Sequence, residues 1–217
     1  VNAVDYGVGK IDSTLIANGI KDNTIIIFLS DNGGRVEHAD NRPFRGHKGM
    51  LFEGGLKVPF FITWNNRISS QQLYENPVIS LDIFPTLLEA VGADYKKEKQ
   101  LEGTSLLPYI NGENGTKPHD KFFWRSVGGF EYAVRKDNYK LYKSAYKGKT
   151  LLFDLEADPR ERNDIAAGNG KIIKDLEGEY QTWNSKNINP GWLDPHQENV
   201  LKEEKKFQDD RAKSTRR

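Results

Sequence analysis

The sequence predicts an α/β protein in two parts: a partial, doubly wound α/β sandwich, followed by a small four-stranded antiparallel sheet with a C-terminal helix. Two observations favour this fold class. In residues 1–110, short β-branched runs alternate with helical patterns, which is typical of α/β layers. In residues 111–217, four short strand patterns follow one another before a single helix and a charged tail. We expect a domain boundary near residue 110.

The opening elements follow from the apolar pattern. Apolar side chains recur at helical spacing up to Leu15, which predicts a helix, and Asn18-Gly19 supplies its end. Residues 24–30 are a nearly continuous β-branched run without alternation. Such a run predicts a strand that is buried on both faces, as in a parallel sheet flanked by helices.

The next stretch, residues 33–55, is rich in glycine and shows little periodicity, so we interpret it as a long loop. Loops of this length without structure of their own are usually functional or disordered. A second buried strand is predicted at residues 58–64. A helix is predicted at residues 81–91, with Pro85 in its first turn and Gly92 just past its end.

The second part predicts a small antiparallel sheet. Its four strand patterns are residues 121–127, 130–136, 139–143 and 151–155. Asp137-Asn138 suits a tight hairpin turn between the second strand and the third. A helix at residues 171–183 could cover one face of the sheet. Residues 202–217 are almost entirely charged, so we expect a solvated or frayed tail.

Composition excludes several classes of protein. The chain has 32 Lys and Arg against 31 Asp and Glu, and so lacks the basic excess of a nucleic-acid-binding protein. It has no cysteine, which excludes a disulfide framework, a thiolate metal site and a cysteine nucleophile. Its longest apolar run, residues 25–29, is far shorter than the roughly 20 residues that span a bilayer. We therefore expect no nucleic-acid partner and no membrane span.

Asp31-Asn32 lies at the carboxyl end of the first predicted strand, where open α/β sheets place their ligand sites. A carboxylate and an amide oxygen side by side suit a hard cation such as Ca²⁺ or Mg²⁺. The same residues, followed by Gly33-Gly34, suit a simple turn, which is the more common role of such sequences. The dipeptide alone leaves both interpretations open.

The segment after this turn resembles a known family. Residues 42–59 read RPFRGHKGMLFEGGLKVP. Together with Asp-Asn-Gly upstream, this closely resembles the sulfatase family, the formylglycine-dependent sulfuric ester hydrolases with an alkaline-phosphatase-like fold. The family pattern is Gly-Lys-Gly-x-x-x-Glu-Gly-Gly-x-x-x-Pro, and His47 replaces its first glycine. Residues 78–92, residues 101–109 and the strands of the second part resemble the same family.

The resemblance implies a role for several residues. Asp31 and Asn32 would be two ligands of one divalent cation, usually Ca²⁺, with Mg²⁺ possible. Lys48 would bind the sulfate ester and assist catalysis, because a compact positive charge suits an oxyanion. Glu53 and its glycines would set the loop geometry. Three arginines and two histidines on or near the loop could contact the substrate beyond the sulfate or serve only at the surface: His47, Arg45, His38, Arg35 and Arg42.

The family's nucleophile is a formylglycine residue made from Cys or Ser in a Cys/Ser-x-Pro-x-Arg motif, and this chain has no such motif. We therefore expect the chain to be the C-terminal part of a sulfatase and inactive alone, with the formylglycine upstream. Its partners would be a sulfated small molecule or carbohydrate and the N-terminal part of the same protein. The resemblance also implies a location outside the cytoplasm.

A low hydrophobic fraction of 36% fits this expectation, because the rest of the sheet would supply much of the core. We expect residues 24–30 to show an exposed apolar face unless a partner covers it. Two alternatives stay open. One is a phosphate or phosphonate monoester hydrolase of the same superfamily, although its two-metal members tend to carry Asp-His where this chain has Asp31-Asn32. The other is a non-catalytic binding module that kept the fold.

Overall fold

The computed structural model describes residues 1–94, 101–126, 129–144, 148–188, 192, 193, 195, 198, 199, 201–203, 205 and 206. The described chain divides into two compact units, one made of residues 1–30 and 59–119, the other of residues 31–58 and 120–217. The domain boundary near residue 110 stays a prediction. Most of the tail, residues 202–217, lies outside the described residues, as does the end of the strand predicted at 121–127.

The predicted helices and strands occur in the predicted order, and two four-residue helices, Glu53–Leu56 and Leu107–Ile110, were not predicted. The helices are α1 (Asn2–Ala17), α2 (Glu53–Leu56), α3 (Ile83–Ala90), α4 (Leu107–Ile110) and α5 (Gly170–Asn184). The strands are β1 (Ile26–Leu29), β2 (Phe60–Thr63), β3 (Lys121–Arg125), β4 (Glu131–Lys136), β5 (Tyr139–Ser144) and β6 (Lys149–Asp154). The predicted helix stops are confirmed, since Gly19 and Gly92 follow α1 and α3 with φ of +65° and +72°.

In the first unit, β1 and β2 form an antiparallel pair in which Ile27 lies opposite Ile62. The expectation of a parallel arrangement is wrong for these two strands. A parallel pair needs a crossover, usually through an α-helix of full length. The connection between β1 and β2 contains only α2, a helix of four residues. An apolar run predicts burial of a strand and carries no information on its direction.

The first unit exposes an apolar surface. No residue of α1 is buried, and none of β1 is buried either. Phe28 and Phe61, opposite each other in the sheet, are 39% and 62% exposed, with ring centroids 6.2 Å apart. The expectation that both faces of β1 would be buried is therefore wrong for the described chain. The expectation of an exposed apolar face along this strand is confirmed.

The interior of the first unit is organised around Asp82. Its side chain is fully buried and accepts hydrogen bonds from the backbone N–H groups of Ile79 and Thr104, each at 2.9 Å. His119 Nε2 lies 2.7 Å from the same carboxylate. Because a buried carboxylate is costly without such partners, this network fixes the approach of residues 101–119 to α3.

In the second unit, the four strands form one antiparallel sheet in the order β3-β4-β5-β6, as predicted. Helix α5 covers one face, also as predicted. Tyr180 of α5 stacks on Tyr132 of β4, and Trp183 stacks on Phe123 of β3, with ring centroids 3.7 and 5.2 Å apart. Leu141 and Leu152 belong to the same buried cluster as Tyr132 and Tyr180.

The opposite face of the sheet is covered by the loop segment that precedes β2. Phe52 packs against Tyr142 of β5 and Phe153 of β6, with centroids 4.6 and 6.3 Å away. The second unit is thus a sheet between α5 and residues 51–56. Among the described residues, no helix has both the length and the apolar character needed to cross a bilayer.

Candidate functional site

The first part of the candidate site is the turn that follows β1. Asp31 Oδ1 accepts a hydrogen bond from the backbone N–H of Asn32 at 3.0 Å. The Asn32 side-chain amide donates to the carbonyl of Gly33 at 3.1 Å. The Asp31 side chain is exposed and Asn32 is half-buried. The residues do form a turn, and that turn presents a carboxylate to solvent at the end of a strand.

The second part is a tight turn that carries Lys48. Met50 N–H donates to the carbonyl of His47 at 2.9 Å, which closes the turn around Lys48 and Gly49. Gly46 and Gly49 have φ of +86° and +87°, conformations that favour glycine. The turn therefore projects Lys48 outward, and its side chain is exposed.

Backbone hydrogen bonds join the two turns. Lys48 N–H donates to the carbonyl of Gly34 at 3.1 Å, and Gly33 N–H donates to the carbonyl of Gly55 at 2.9 Å. The structure thus brings the predicted cation ligands and the predicted sulfate-binding lysine into one group of loops. The sequence motif already suggested this association, because both turns belong to the same family pattern.

Close backbone packing requires glycine at two positions of α2 and at one position of the Asp31-Asn32 turn. A Cβ at Gly33 would lie 1.8 Å from the carbonyl oxygen of Gly54. A Cβ at Gly54 would lie 2.4 Å from the carbonyl oxygen of Gly46, and one at Gly55 only 2.1 Å from that of Met50. No side chain fits at these positions, so the three glycines allow both turns to pack directly on α2.

Asn41 is a residue of the site that the sequence did not reveal. Its side-chain oxygen accepts the N–H of Gly34 and its side-chain amide donates to the carbonyl of Gly34, both at 2.8 Å. The same carbonyl accepts the N–H of Lys48. Asn41 thus fixes the residue that links the two turns. Asn41 lies in residues 33–55, which show little periodicity. Its position before Arg42-Pro43 was the one local feature of the sequence near it.

A buried ion cluster contacts the first residue of α2, Glu53. Lys140 Nζ lies 2.8 Å from Glu53 Oε1 and 2.8 Å from Glu161 Oε1, and Lys140 and Glu161 are fully buried. Glu161 Oε2 also accepts the backbone N–H of Glu53 at 2.7 Å. Burial raises the pKa of the Glu161 carboxyl, and the nearby Lys140 ammonium opposes that rise. The expectation that Glu53 sets loop geometry agrees with this arrangement.

The other predicted contact residues have varied surroundings. The Arg45 guanidinium lies over the ring of Phe52 at 4.2 Å and donates to the carbonyl of Glu161 at 3.0 Å. Both contacts are made within the protein. The ring of His47 donates through Nδ1 to the carbonyl of Lys48 at 2.9 Å. His38 is exposed, on the turn that begins at Arg35. A substrate contact by His47, Arg45 or His38 stays a prediction.

Arg42 forms an exposed ion pair with a neighbour, and a substrate contact by this residue stays a prediction. Its Nε donates to Asp40 Oδ1 at 2.8 Å and its Nη2 to Asp40 Oδ2 at 2.5 Å. These hydrogen bonds lower the pKa of the Asp40 carboxyl to about 2. Arg35 forms a similar but looser exposed pair, with its Nε 3.3 Å from Glu37. Both arginines are therefore balanced by a carboxylate of the same loop.

The donor atoms of the first turn suit a hard divalent cation in type, since they are carboxylate and amide oxygens. Within the described ranges, no three His, Asp or Glu side chains come together as a metal cluster. Asp31 and Asn32 would supply two oxygen ligands of the roughly six to eight that Ca²⁺ takes.

Several known proteins that are similar to this chain are sulfatases. A family model described as Sulfatase matches residues 1–93. Uncharacterized sulfatase YdeN of Escherichia coli (strain K12) is 26% identical over 216 residues, covering 82% of this chain and 38% of that protein. Steryl-sulfatase of Mus musculus is 30% identical over 204 residues, covering 76% of this chain and 32% of that protein.

Among solved structures, the crystal structure of Ps i-CgsB matches with a TM-score of 0.82 at 32% identity, covering 91% of this chain and 44% of that chain. Ps i-CgsB has also been crystallised in complex with k-i-k-neocarrahexaose. The fold is thus the alkaline-phosphatase-like α/β fold of the sulfatases. The chain belongs to the sulfatase family. It spans less than half the length of each of these relatives.

Proposed function

We propose that this chain is the C-terminal portion of a sulfuric ester hydrolase and supplies part of its active site. The observation that carries the proposal is the hydrogen bond from Lys48 N–H to the carbonyl of Gly34, 3.1 Å long, which holds the lysine turn against the Asp31-Asn32 turn. An exposed cation and an exposed carboxylate on adjoining turns suit a site that binds a metal ion and an oxyanion together.

Each residue has a defined task in this proposal. Asp31 and Asn32 would supply oxygen ligands to one divalent cation, Ca²⁺ or Mg²⁺, whose positive charge would stabilise negative charge on sulfate oxygens. Lys48 would bind the sulfate through its ammonium group and stabilise charge that develops on the oxygens during cleavage. The glycines of α2 and the side chain of Asn41 would hold both turns in place.

The cation assignment is tested by metal analysis of the longer protein that contains this chain. Asp31→Ala and Asn32→Ala should each lower the bound Ca²⁺, because each would remove one oxygen ligand. Asp5→Ala is the control, since Asp5 is an exposed carboxylate in the first turn of α1. Undiminished Ca²⁺ in both site variants would contradict the assignment.

We further propose that the N-terminal portion of the same protein is the partner of this chain. It would cover the exposed Phe28–Phe61 pair and would carry the formylglycine and the remaining metal ligands. The 217-residue chain alone should then be inactive. Measurable turnover of an aryl sulfate by the pure chain would contradict this proposal, whereas turnover only after addition of the N-terminal portion would support it.

For the substrate we propose a sulfate ester of a carbohydrate or an aryl compound, handled outside the cytoplasm. Ps i-CgsB, similar over 91% of this chain, binds k-i-k-neocarrahexaose, which supports a sugar. Steryl-sulfatase, similar over 76% of the chain, supports a non-sugar ester. Activity of the longer protein on a panel of sulfated sugars and aryl sulfates would decide between them.

A second candidate is hydrolysis of a phosphate or phosphonate monoester. It is supported by the chemistry of Lys48 and a hard cation, which bind either tetrahedral oxyanion. Asn32 favours the sulfate, because a second transition-metal ion would need an imidazole at that position. Comparing kcat/KM for 4-nitrophenyl sulfate and 4-nitrophenyl phosphate on the longer protein would distinguish them.

A third candidate is a binding module without catalysis. A longer protein whose sequence lacks Cys/Ser-x-Pro-x-Arg, yet binds sulfated sugars, would favour it over both hydrolases.

A further inference from the structure

Lys140 is a buried cation that the family motif does not include and the proposed chemistry does not use. It lies on β5, on the face of the sheet opposite α5, and its side chain is fully buried. Its Nζ lies 2.8 Å from one oxygen of Glu53 and 2.8 Å from one oxygen of Glu161. A buried charge is very costly unless it is paired, so the three residues depend on one another.

The cluster is connected to both turns of the proposed site. Glu53 begins α2, and its backbone N–H is fixed by Glu161 at 2.7 Å. The next residue, Gly54, donates its N–H to the carbonyl of Arg45 at 2.6 Å, at the start of the Lys48 turn. Gly55 accepts the N–H of Gly33 at 2.9 Å, in the Asp31-Asn32 turn. The position of α2 therefore decides the position of both turns.

We propose that Lys140 is a positioning residue for Lys48. By holding Glu53 and Glu161 against β5, it fixes the start of α2, and α2 fixes the turn that carries Lys48. Without Lys140, two carboxylates would remain buried beside each other and would move toward water. Glu53 would take α2 with it, and the backbone contacts of Gly33 and Gly54 would loosen. This inference rests on the proposed role of Lys48 in binding sulfate.

The test is amide hydrogen exchange in the 217-residue chain carrying Lys140→Met. Breaking a buried pair by removing one partner is strongly destabilising, so we expect a loss of protection on the order of a hundredfold at the amides of Gly33, Lys48 and Gly54. Amides of β4 and β5 should lose much less. Unchanged protection at the three amides would overturn the proposal, and so would an equal loss throughout the sheet.

Lys143→Met is the matched control. Lys143 lies on the same strand with its side chain 38% exposed, paired with Glu177 on the α5 face. Partly exposed ion pairs contribute little, so this variant should leave the three amides unchanged.

A second variant keeps the test decisive if Lys140→Met does not fold. Glu53→Gln retains the shape of the side chain and removes its charge, and should loosen the same three amides. Lys140→Arg keeps the positive charge and should restore part of their protection. If Glu53→Gln leaves all three amides at wild-type protection, the proposal fails.

Activity of the longer protein separates this inference from the proposed function. Lys140→Met should lower kcat/KM for a sulfate ester on the order of tenfold or more, as expected when a catalytic group is misplaced, while Lys143→Met leaves it unchanged. If the wild-type protein hydrolyses no sulfate ester, the proposed function is wrong and the exchange result still decides the positioning contact. If Lys140→Met loosens the turn and kcat/KM is unchanged, the positioning role is overturned.

Discussion

Gly33 cannot be replaced by a residue with a side chain, because a Cβ there would lie 1.8 Å from the carbonyl oxygen of Gly54. The atom in the way belongs to the backbone of α2, so it cannot swing aside as the end of a flexible side chain would. Gly33 follows the proposed cation ligands directly and donates its N–H to Gly55. The close approach of these two backbones is therefore a condition for the proposed site.

We expect Gly33→Ala to lower the free energy of unfolding by about 3 kcal/mol, the upper range for overpacking against atoms that cannot move. Gly9→Ala is the control, since a Cβ at Gly9 meets nothing within 4 Å. On the exposed face of α1 it should raise stability by up to about 1 kcal/mol through better helix propensity. Urea unfolding of both variants measures the difference. Equal stability of Gly33→Ala and wild type would contradict the close packing.

At the residue scale, the sequence suggested the loop residues of the proposed site, including Glu53 and its glycines. It did not reveal three side chains that support them: Asn41, Lys140 and Glu161. Asp31, Asn32 and Lys48 belong to a local pattern, and the resemblance of that pattern to the sulfatase family implied their roles. Lys140 and Glu161 contact Glu53 across 87 and 108 positions of sequence. A single chain without aligned relatives carries no signal for such distant pairs, because they depend on how the sheet packs on the loop.

At the scale of elements, α5 is attached to the sheet by charge as well as by aromatic stacking. Glu179 of α5 receives hydrogen bonds from Lys121 of β3 at 2.6 Å and from Lys136 of β4 at 2.7 Å. These hydrogen bonds lower the pKa of the Glu179 carboxyl below its ordinary value of 4.5. Its charged form therefore stabilises the folded state, and that contribution depends on pH.

We expect Glu179→Gln to lower the free energy of unfolding by about 1 kcal/mol at pH 7, the upper range for partly exposed pairs. A lowered folded pKa gives stability that is present above pH 4.5 and is lost as pH falls through the folded value. The difference from wild type should therefore shrink below pH 4.5. Asp175→Asn, an exposed carboxylate one turn earlier on α5, is the control. Urea unfolding at several pH values measures the difference in free energy of unfolding between Glu179→Gln and wild type. If that difference stays constant down to pH 3, the predicted pH dependence is contradicted.

The elements themselves were largely predictable, and their directions were not. The four strands of the small sheet alternate with turn residues, so their existence and antiparallel order followed from local pattern. For β1 and β2 the pattern indicated strands correctly but suggested parallel pairing, whereas Ile27 and Ile62 lie opposite each other in an antiparallel pair. The direction depends on the path of the chain between residues 30 and 59, which periodicity does not describe.

At the scale of the whole molecule, the distribution of exposed apolar side chains is uneven. Large apolar residues with more than a third of their surface exposed are frequent in the first unit, and α1 has no buried residue. Single exposed apolar residues are normal, but a continuous apolar surface usually marks an interaction site. The chain also spans less than half the length of its relatives. Together these facts support the proposal that the N-terminal portion of the protein covers this surface.

The aromatic pair on β1 and β2 gives the last prediction. We expect the pure 217-residue chain to bind the dye ANS and to self-associate, because Phe28 and Phe61 present adjacent rings to solvent. Phe61→Thr should weaken both, since threonine suits a strand and removes the exposed ring. The unfolding free energy should change by no more than about 0.5 kcal/mol, as for other surface substitutions. Val36→Thr, at a residue 64% exposed in the loop of the second unit, is the control. If ANS fluorescence and the sedimentation coefficient of Phe61→Thr match those of wild type, the aromatic pair is not the surface through which the chain associates.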